Sequence, residues 1–85
     1  MKVNSDHLAS LDELSFAIEV GEDIQIVLNN TEWYIGYDQN GKRVIAQNPN
    51  GPVHYLDDSV DAVLDFVING KSIRDQWRNI IVVAL

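Results

Sequence analysis

The sequence predicts one α+β domain, in which an antiparallel β-meander packs against helices. Two observations carry this prediction: apolar residues recur at helical spacing near both ends of the chain, and with a period of two between residues 24 and 47. The chain has 85 residues, 46% of them hydrophobic and 22% charged. Such a length supports one domain with a small core. We expect a flexible segment over residues 1–9, then a domain over residues 10–85 in the order α-β-β-β-(β)-α-α, where the bracketed strand is a short fourth one.

The first predicted helix covers residues 11–20. Ser10 and Glu13 form a capping box, in which each residue satisfies a free backbone N–H of the first helical turn. Gly21 supplies the left-handed conformation that commonly ends a helix. The apolar residues between these caps recur at helical spacing, namely Leu11, Leu14, Ala17 and Ile18.

Three strands should follow, joined by two short turns. Asn29-Asn30 and Asn40-Gly41 can both adopt the positive φ values of a two-residue hairpin turn. A two-residue turn fixes which residues face each other, so the register can be written down. Both turns then place one set of residues on a single sheet face: Ile24, Ile26, Leu28, Trp33, Ile35, Tyr37, Val44 and Ala46.

The second half of the chain is predicted to be mainly helical. A loop rich in Pro, Gly and Asn over residues 48–52 precedes a short strand over residues 53–56. A helix over residues 59–68 should end at Asn69-Gly70. Ser72 and Asp75 can cap a third helix, whereas the β-branched residues 81–83 leave two alternatives open for the end of the chain, helix or terminal strand.

The face of the meander turned away from the core is the candidate binding site. We expect this face to bind a protein partner or a second copy of the chain, because aromatic residues and arginine are enriched at interfaces. By the predicted register, its candidate partner-binding residues are Val27, Tyr34, Arg43, Ile45 and Gln47. Gly36 lies within a strand, which predicts a close approach by another group. We expect Tyr34 and Tyr37 to cover it.

The net charge of −7 excludes a binder of nucleic acid backbones and disfavours an anionic membrane surface. An acidic surface made by Asp57, Asp58, Asp61 and Asp65 gives the alternative function, a DNA mimic that occupies the basic channel of a nucleic-acid enzyme. The order of helix, meander and two helices resembles that of some phage-encoded inhibitors of CRISPR nucleases, at the level of topology only. That resemblance implies a phage or prophage origin.

The sequence predicts no catalytic activity, no cofactor and no metal site. It lacks cysteine, a Gly-rich phosphate loop and any nucleophile signature. The one acid–base pair that the sequence suggests is His54 with Asp57 or Asp58. Residues 1–23 show no secretion signal and no apolar run is long enough to span a bilayer, so we expect a cytoplasmic protein.

Overall fold

The computed structural model describes residues 7–48 and 51–85. The protein is α+β, as predicted. Its elements in chain order are α1 (Leu11–Val20), β1 (Ile24–Leu28), β2 (Thr31–Tyr37), β3 (Arg43–Gln47), β4 (Val53–Tyr55), α2 (Val60–Leu64), β5 (Val67–Ile68), β6 (Lys71–Ser72), a 3₁₀ helix (Arg74–Asn79) and β7 (Ile81–Ala84). Residues 1–6 of the predicted N-terminal segment and residues 49 and 50 of the predicted loop lie outside the described residues.

Helix α1 has the predicted bounds and caps. The Ser10 hydroxyl accepts from the Glu13 N–H at 3.3 Å, and the Glu13 carboxylate accepts from the Ala9 N–H at 2.8 Å. Gly21 has φ 82° and donates its N–H to carbonyls of the last turn. The free backbone groups at both ends of this ten-residue helix therefore have hydrogen-bond partners, which fixes where the helix begins and ends.

The β1–β2 hairpin also has the predicted register. Asn29 and Asn30 have φ values of 56° and 63°, as a two-residue turn requires. Ile26 lies opposite Trp33, and Ile24 lies opposite Ile35.

The predicted register of β3 was wrong by one residue. Asn40 does not have a positive φ, whereas Gly41 has φ 79°, so the connection is a three-residue loop instead of a two-residue turn. The Asp38 carboxylate stabilises this loop by accepting the N–H groups of Asn40 at 2.8 Å and Lys42 at 2.9 Å. The extra residue moves every β3 side chain to the opposite face.

The sheet has five strands in the order β4-β3-β2-β1-β7. The predicted short fourth strand is present as β4 and pairs with β3. The end of the chain is a strand, the second of the two alternatives, and β7 runs antiparallel to β1 with an irregularity between Gln25 and Ile26.

The prediction of a helix over residues 59–68 was wrong for the second half of that range. Helix α2 ends at Leu64, and a small hairpin of β5 and β6 follows. Asn69 and Gly70 have φ values of 54° and 88° and form the two-residue turn of that hairpin, not the end of a helix. Ser72 then accepts the Asp75 N–H at 3.1 Å, as predicted, but the helix that follows is a 3₁₀ helix.

The hydrophobic core lies on one face of the sheet, which we call the core face. Its strand residues are Ile24, Ile26, Leu28, Trp33, Ile35 and Ile45. Residues of α1, α2 and the segment from Ile68 to Ile80 join the same cluster. Within the described residues, no helix is long and apolar enough to cross a membrane.

Candidate functional site

The outer face is the side of the five-stranded sheet opposite to the core. The register gives its apolar and aromatic members as Val27, Tyr34, Val44, Ala46, Val53, Tyr55, Ile81 and Ala84. None of these residues belongs to the core cluster, which the described helices join from the other side. The largest exposures lie on the edge strands, where Tyr55 is 61%, Val53 50% and Ile81 41% exposed. The outer face therefore has exposed apolar groups at both edges and half-buried or buried residues at its centre, where Val44 is only 3% exposed.

Tyr34 lies flat along the centre of the outer face. A Cβ at Gly36 would stand 2.5 Å from Tyr34 Cζ and would also collide with the Tyr34 hydroxyl, so the ring occupies the space that a side chain would need. The prediction is thus confirmed for Tyr34 and wrong for Tyr37, which lies on the core side opposite Arg43. The Tyr34 hydroxyl donates to Asp23 Oδ1 at 2.8 Å. The pKa of Tyr34 is raised above its ordinary value, mainly by burial and also by the hydrogen bond to Asp23 and the negative charge of that carboxylate.

Carboxylates surround the outer face at both ends. Asp23 and Asp38 lie at the end where β1 begins and β2 finishes. Hydrogen bonds from the backbone N–H groups of Lys42 and Asn40 lower the pKa of Asp38 below its ordinary value. Glu32 lies at the other end, opposite Val27.

Arg43 does not belong to the outer face, contrary to the prediction. The change of register turns it to the core side, where the residue is only 3% exposed. Its Nη2 donates to Tyr37 Oη at 2.8 Å, to the Ile18 carbonyl at 3.2 Å and to Asp58 Oδ1 at 3.3 Å. The guanidinium carbon lies 4.3 Å from the centre of the Tyr37 ring. Arg43 thus links α1, the sheet and the start of α2.

Ile45 and Gln47 also lie on the core side, contrary to the prediction. Ile45 is fully buried opposite Ile35. Gln47 lines a cleft of about 260 Å³, together with Trp33, His54 and Phe66. The cleft is smaller than most small-molecule sites, which begin at about 300 Å³. Of the five predicted partner-binding residues, the structure thus leaves Val27 and Tyr34 on the outer face.

The predicted acidic surface is partly neutralised by arginines. Arg74 donates to Asp61 at 2.9 Å and to Asp65 at 3.0 Å, while Asp58 pairs with Arg43. Two hydrogen bonds from one guanidinium, together with the charges of Asp61 and Asp65, raise the pKa of Arg74. Asp57 is exposed. Three of the four predicted carboxylates therefore have a cationic partner.

The structure does not bring His54 together with Asp57 or Asp58 in a hydrogen bond or ion pair. The imidazole ring lies on the core side of β4, with its centre 5.1 Å from that of Phe66. Within residues 7–48 and 51–85, no group of three or more His, Asp or Glu side chains is placed to hold a metal ion.

The sequence analysis missed the most exposed residues of the outer face. Val53 and Tyr55 belong to the short fourth strand, which the sequence analysis assigned to neither face, and Ile81 belongs to the segment with two alternatives. The alternation of Val53, His54 and Tyr55 is the signal that could have identified β4 residues on the outer face.

Helix α1 carries a second exposed apolar pair, Phe16 at 65% and Val20 at 52%.

Comparison with the models of known protein families, with curated proteins and with solved structures finds no match.

Proposed function

We propose that this protein is a non-catalytic interaction module that binds a protein partner through the outer face of its sheet. The observation that carries the proposal is the exposure of Tyr55, Val53 and Ile81 on a sheet face that the core leaves open. Val53 and Tyr55 form one exposed apolar patch on β4, and Ile81 lies at the opposite edge of the same face. Exposed apolar patches are typical of interaction sites, and tyrosine is enriched in them. The cytoplasmic location inferred from the sequence stays a prediction.

The acidic DNA mimic has less support than the sheet interface. A mimic needs carboxylates that are free to meet basic groups of an enzyme, as phosphates do. Here Arg74 and Arg43 engage Asp61, Asp65 and Asp58. Binding through the acidic surface is therefore one of the outcomes that the following experiment distinguishes.

The test is capture of partners from a lysate of the source cell by the full chain, compared between two matched double variants. Tyr55→Ser/Ile81→Ser removes exposed apolar groups from both edges of the outer face. Phe16→Ser/Val20→Ser removes a similar amount from α1, since the exposures of the two pairs are similar. All four side chains are more than a third exposed, so both variants should remain folded, which circular dichroism checks.

We expect a partner that the wild type and the α1 variant recover and that the outer-face variant loses. Equal recovery by all three proteins, or loss with the α1 variant alone, contradicts the proposal. A partner retained by both variants and released only by high salt would instead favour the acidic mimic. A dimeric mass that becomes monomeric only in the outer-face variant would show that the partner is a second copy of the chain.

A further inference from the structure

We infer that the partner presents an amphipathic helix whose apolar stripe is flanked by lysine and arginine side chains. This inference rests on the proposed function, because it concerns what covers the same outer face. Two features of that face specify the occupant: the charges around it, and the distance between its exposed apolar groups.

The charges favour a basic occupant. Glu32 lies on the outer face, Asp23 is hydrogen-bonded to Tyr34 in its centre, and Asp38 follows the last residue of β2 at its end. One lysine, the exposed Lys42 beside Asp38, lies near these three carboxylates. The other lysines and arginines of the described residues lie elsewhere: Arg43 is buried on the core side, and Lys71, Arg74 and Arg78 belong to β6 and the 3₁₀ helix. His7 pairs with Ile81 at the β7 edge.

The same charges disfavour a second copy. Two outer faces stacked on each other would bring two sets of carboxylates together, between chains that each have a net charge of −7. Like charges brought together across an interface oppose association. Lysine and arginine side chains on either side of a partner's apolar stripe would instead be attracted to the same carboxylates.

The geometry favours a helix. The inner strands β1, β2 and β3 are hydrogen-bonded on both sides, so a partner that lies across the face meets side chains there, and free backbone groups only at the outer edges of β4 and β7. Tyr55 and Ile81 lie on strands four places apart, about 19 Å across the sheet, and the pairing offsets them by about 13 Å along the strands, so they are about 23 Å apart. A helix of about 15 residues covers that distance. Such a helix would complete a second helical layer, equivalent to the one on the core face.

The test uses two synthetic peptides and the full-length, ¹⁵N-labelled protein. The first peptide is about 18 residues long, with leucine on one helical face and lysine elsewhere. The second has glutamate at every lysine position. We expect the lysine peptide to shift the amide signals of Val27, Tyr34 and Ala46, with an affinity that decreases as salt is added, and the glutamate peptide to shift none.

Charge variants separate the outer face from a general attraction to an acidic protein. Asp23→Asn/Glu32→Gln should weaken binding of the lysine peptide about fivefold, as expected for the loss of two surface ion pairs. Asp12→Asn/Glu19→Gln changes the net charge equally but on α1, and should leave the affinity within about twofold.

Three results would overturn the inference: no shifts with the lysine peptide, shifts confined to the helices, or equal weakening by the two charge variants. These results leave the proposed function intact if the outer-face serine variant still loses its cellular partner. If that variant keeps its partner, the proposed function fails whatever the peptides do.

Discussion

Ile45 provides the sharpest test of the sheet register. The structure places it on the core face, fully buried between Ile35 of β2 and His54 of β4, whereas a two-residue turn before β3 would place it on the outer face. Substitution Ile45→Ala removes three carbon atoms from the centre of the core. Losses of this kind cost about 2–5 kcal/mol.

We take about 3 kcal/mol for Ile45→Ala, from the middle of that range. A domain of this size has a total stability of about 4–13 kcal/mol, so the loss is a large fraction of it. The expected decrease in melting temperature is roughly 12–24 °C. Ala46→Ser is the matched control in the next position: Ala46 lies half-buried on the outer face, and its change should cost about 0.5 kcal/mol or less.

Thermal and urea unfolding followed by circular dichroism measures both variants. A loss below about 1 kcal/mol for Ile45→Ala, with a larger loss for Ala46→Ser, would refute the register of β3. It would also return Ile45 to the outer face and remove Tyr55 from it, because β4 takes its register from β3.

Two further predictions concern polar groups. Burial and the Asp23 carboxylate raise the pKa of Tyr34, so folding favours the protonated phenol; this contribution to stability is complete below the ordinary pKa and is lost as the pH rises through the folded-state value. Asp23→Asn should lower the Tyr34 pKa in an NMR titration of ¹³C-labelled tyrosine, and an unchanged value would contradict the contact. Arg43→Met should cost about 1–3 kcal/mol, because it removes the Nη2 hydrogen bonds to Tyr37, the Ile18 carbonyl and Asp58 while methionine retains most of the stem. Arg43→Ala also removes the stem and should cost about 2 kcal/mol more, and no loss for Arg43→Met in urea unfolding would contradict a stabilising role of these hydrogen bonds.

The elements predicted correctly are those in which local hydrogen bonds agree with the apolar pattern. Helix α1 has a side-chain cap at its start and a glycine at its end, with apolar residues at helical spacing between them. The β1–β2 hairpin has two asparagines at its turn and apolar alternation on both sides. In both cases every signal lies within about a dozen residues, so no distant contact is needed to choose the structure.

The two Asn-Gly pairs show where local signals are ambiguous. Asn40-Gly41 has the sequence of a two-residue turn, yet the Asp38 carboxylate binds two backbone N–H groups and stabilises a longer loop. Asn69-Gly70 was interpreted as a helix end but forms the two-residue turn between β5 and β6. The same dipeptide supports both outcomes, and neighbouring groups decide between them.

By itself the sequence determined the α+β class, the first helix, the first hairpin and the acidic character of this protein, because each depends on composition or on contacts between near neighbours. Only the tertiary structure decided that β7 pairs with β1, that Arg43 and Ile45 turn inward, and that Val53, Tyr55 and Ile81 define the outer face. The physical reason is that strands distant in sequence pair according to the burial each face gains. One additional loop residue reverses the face on which every following side chain of the strand lies.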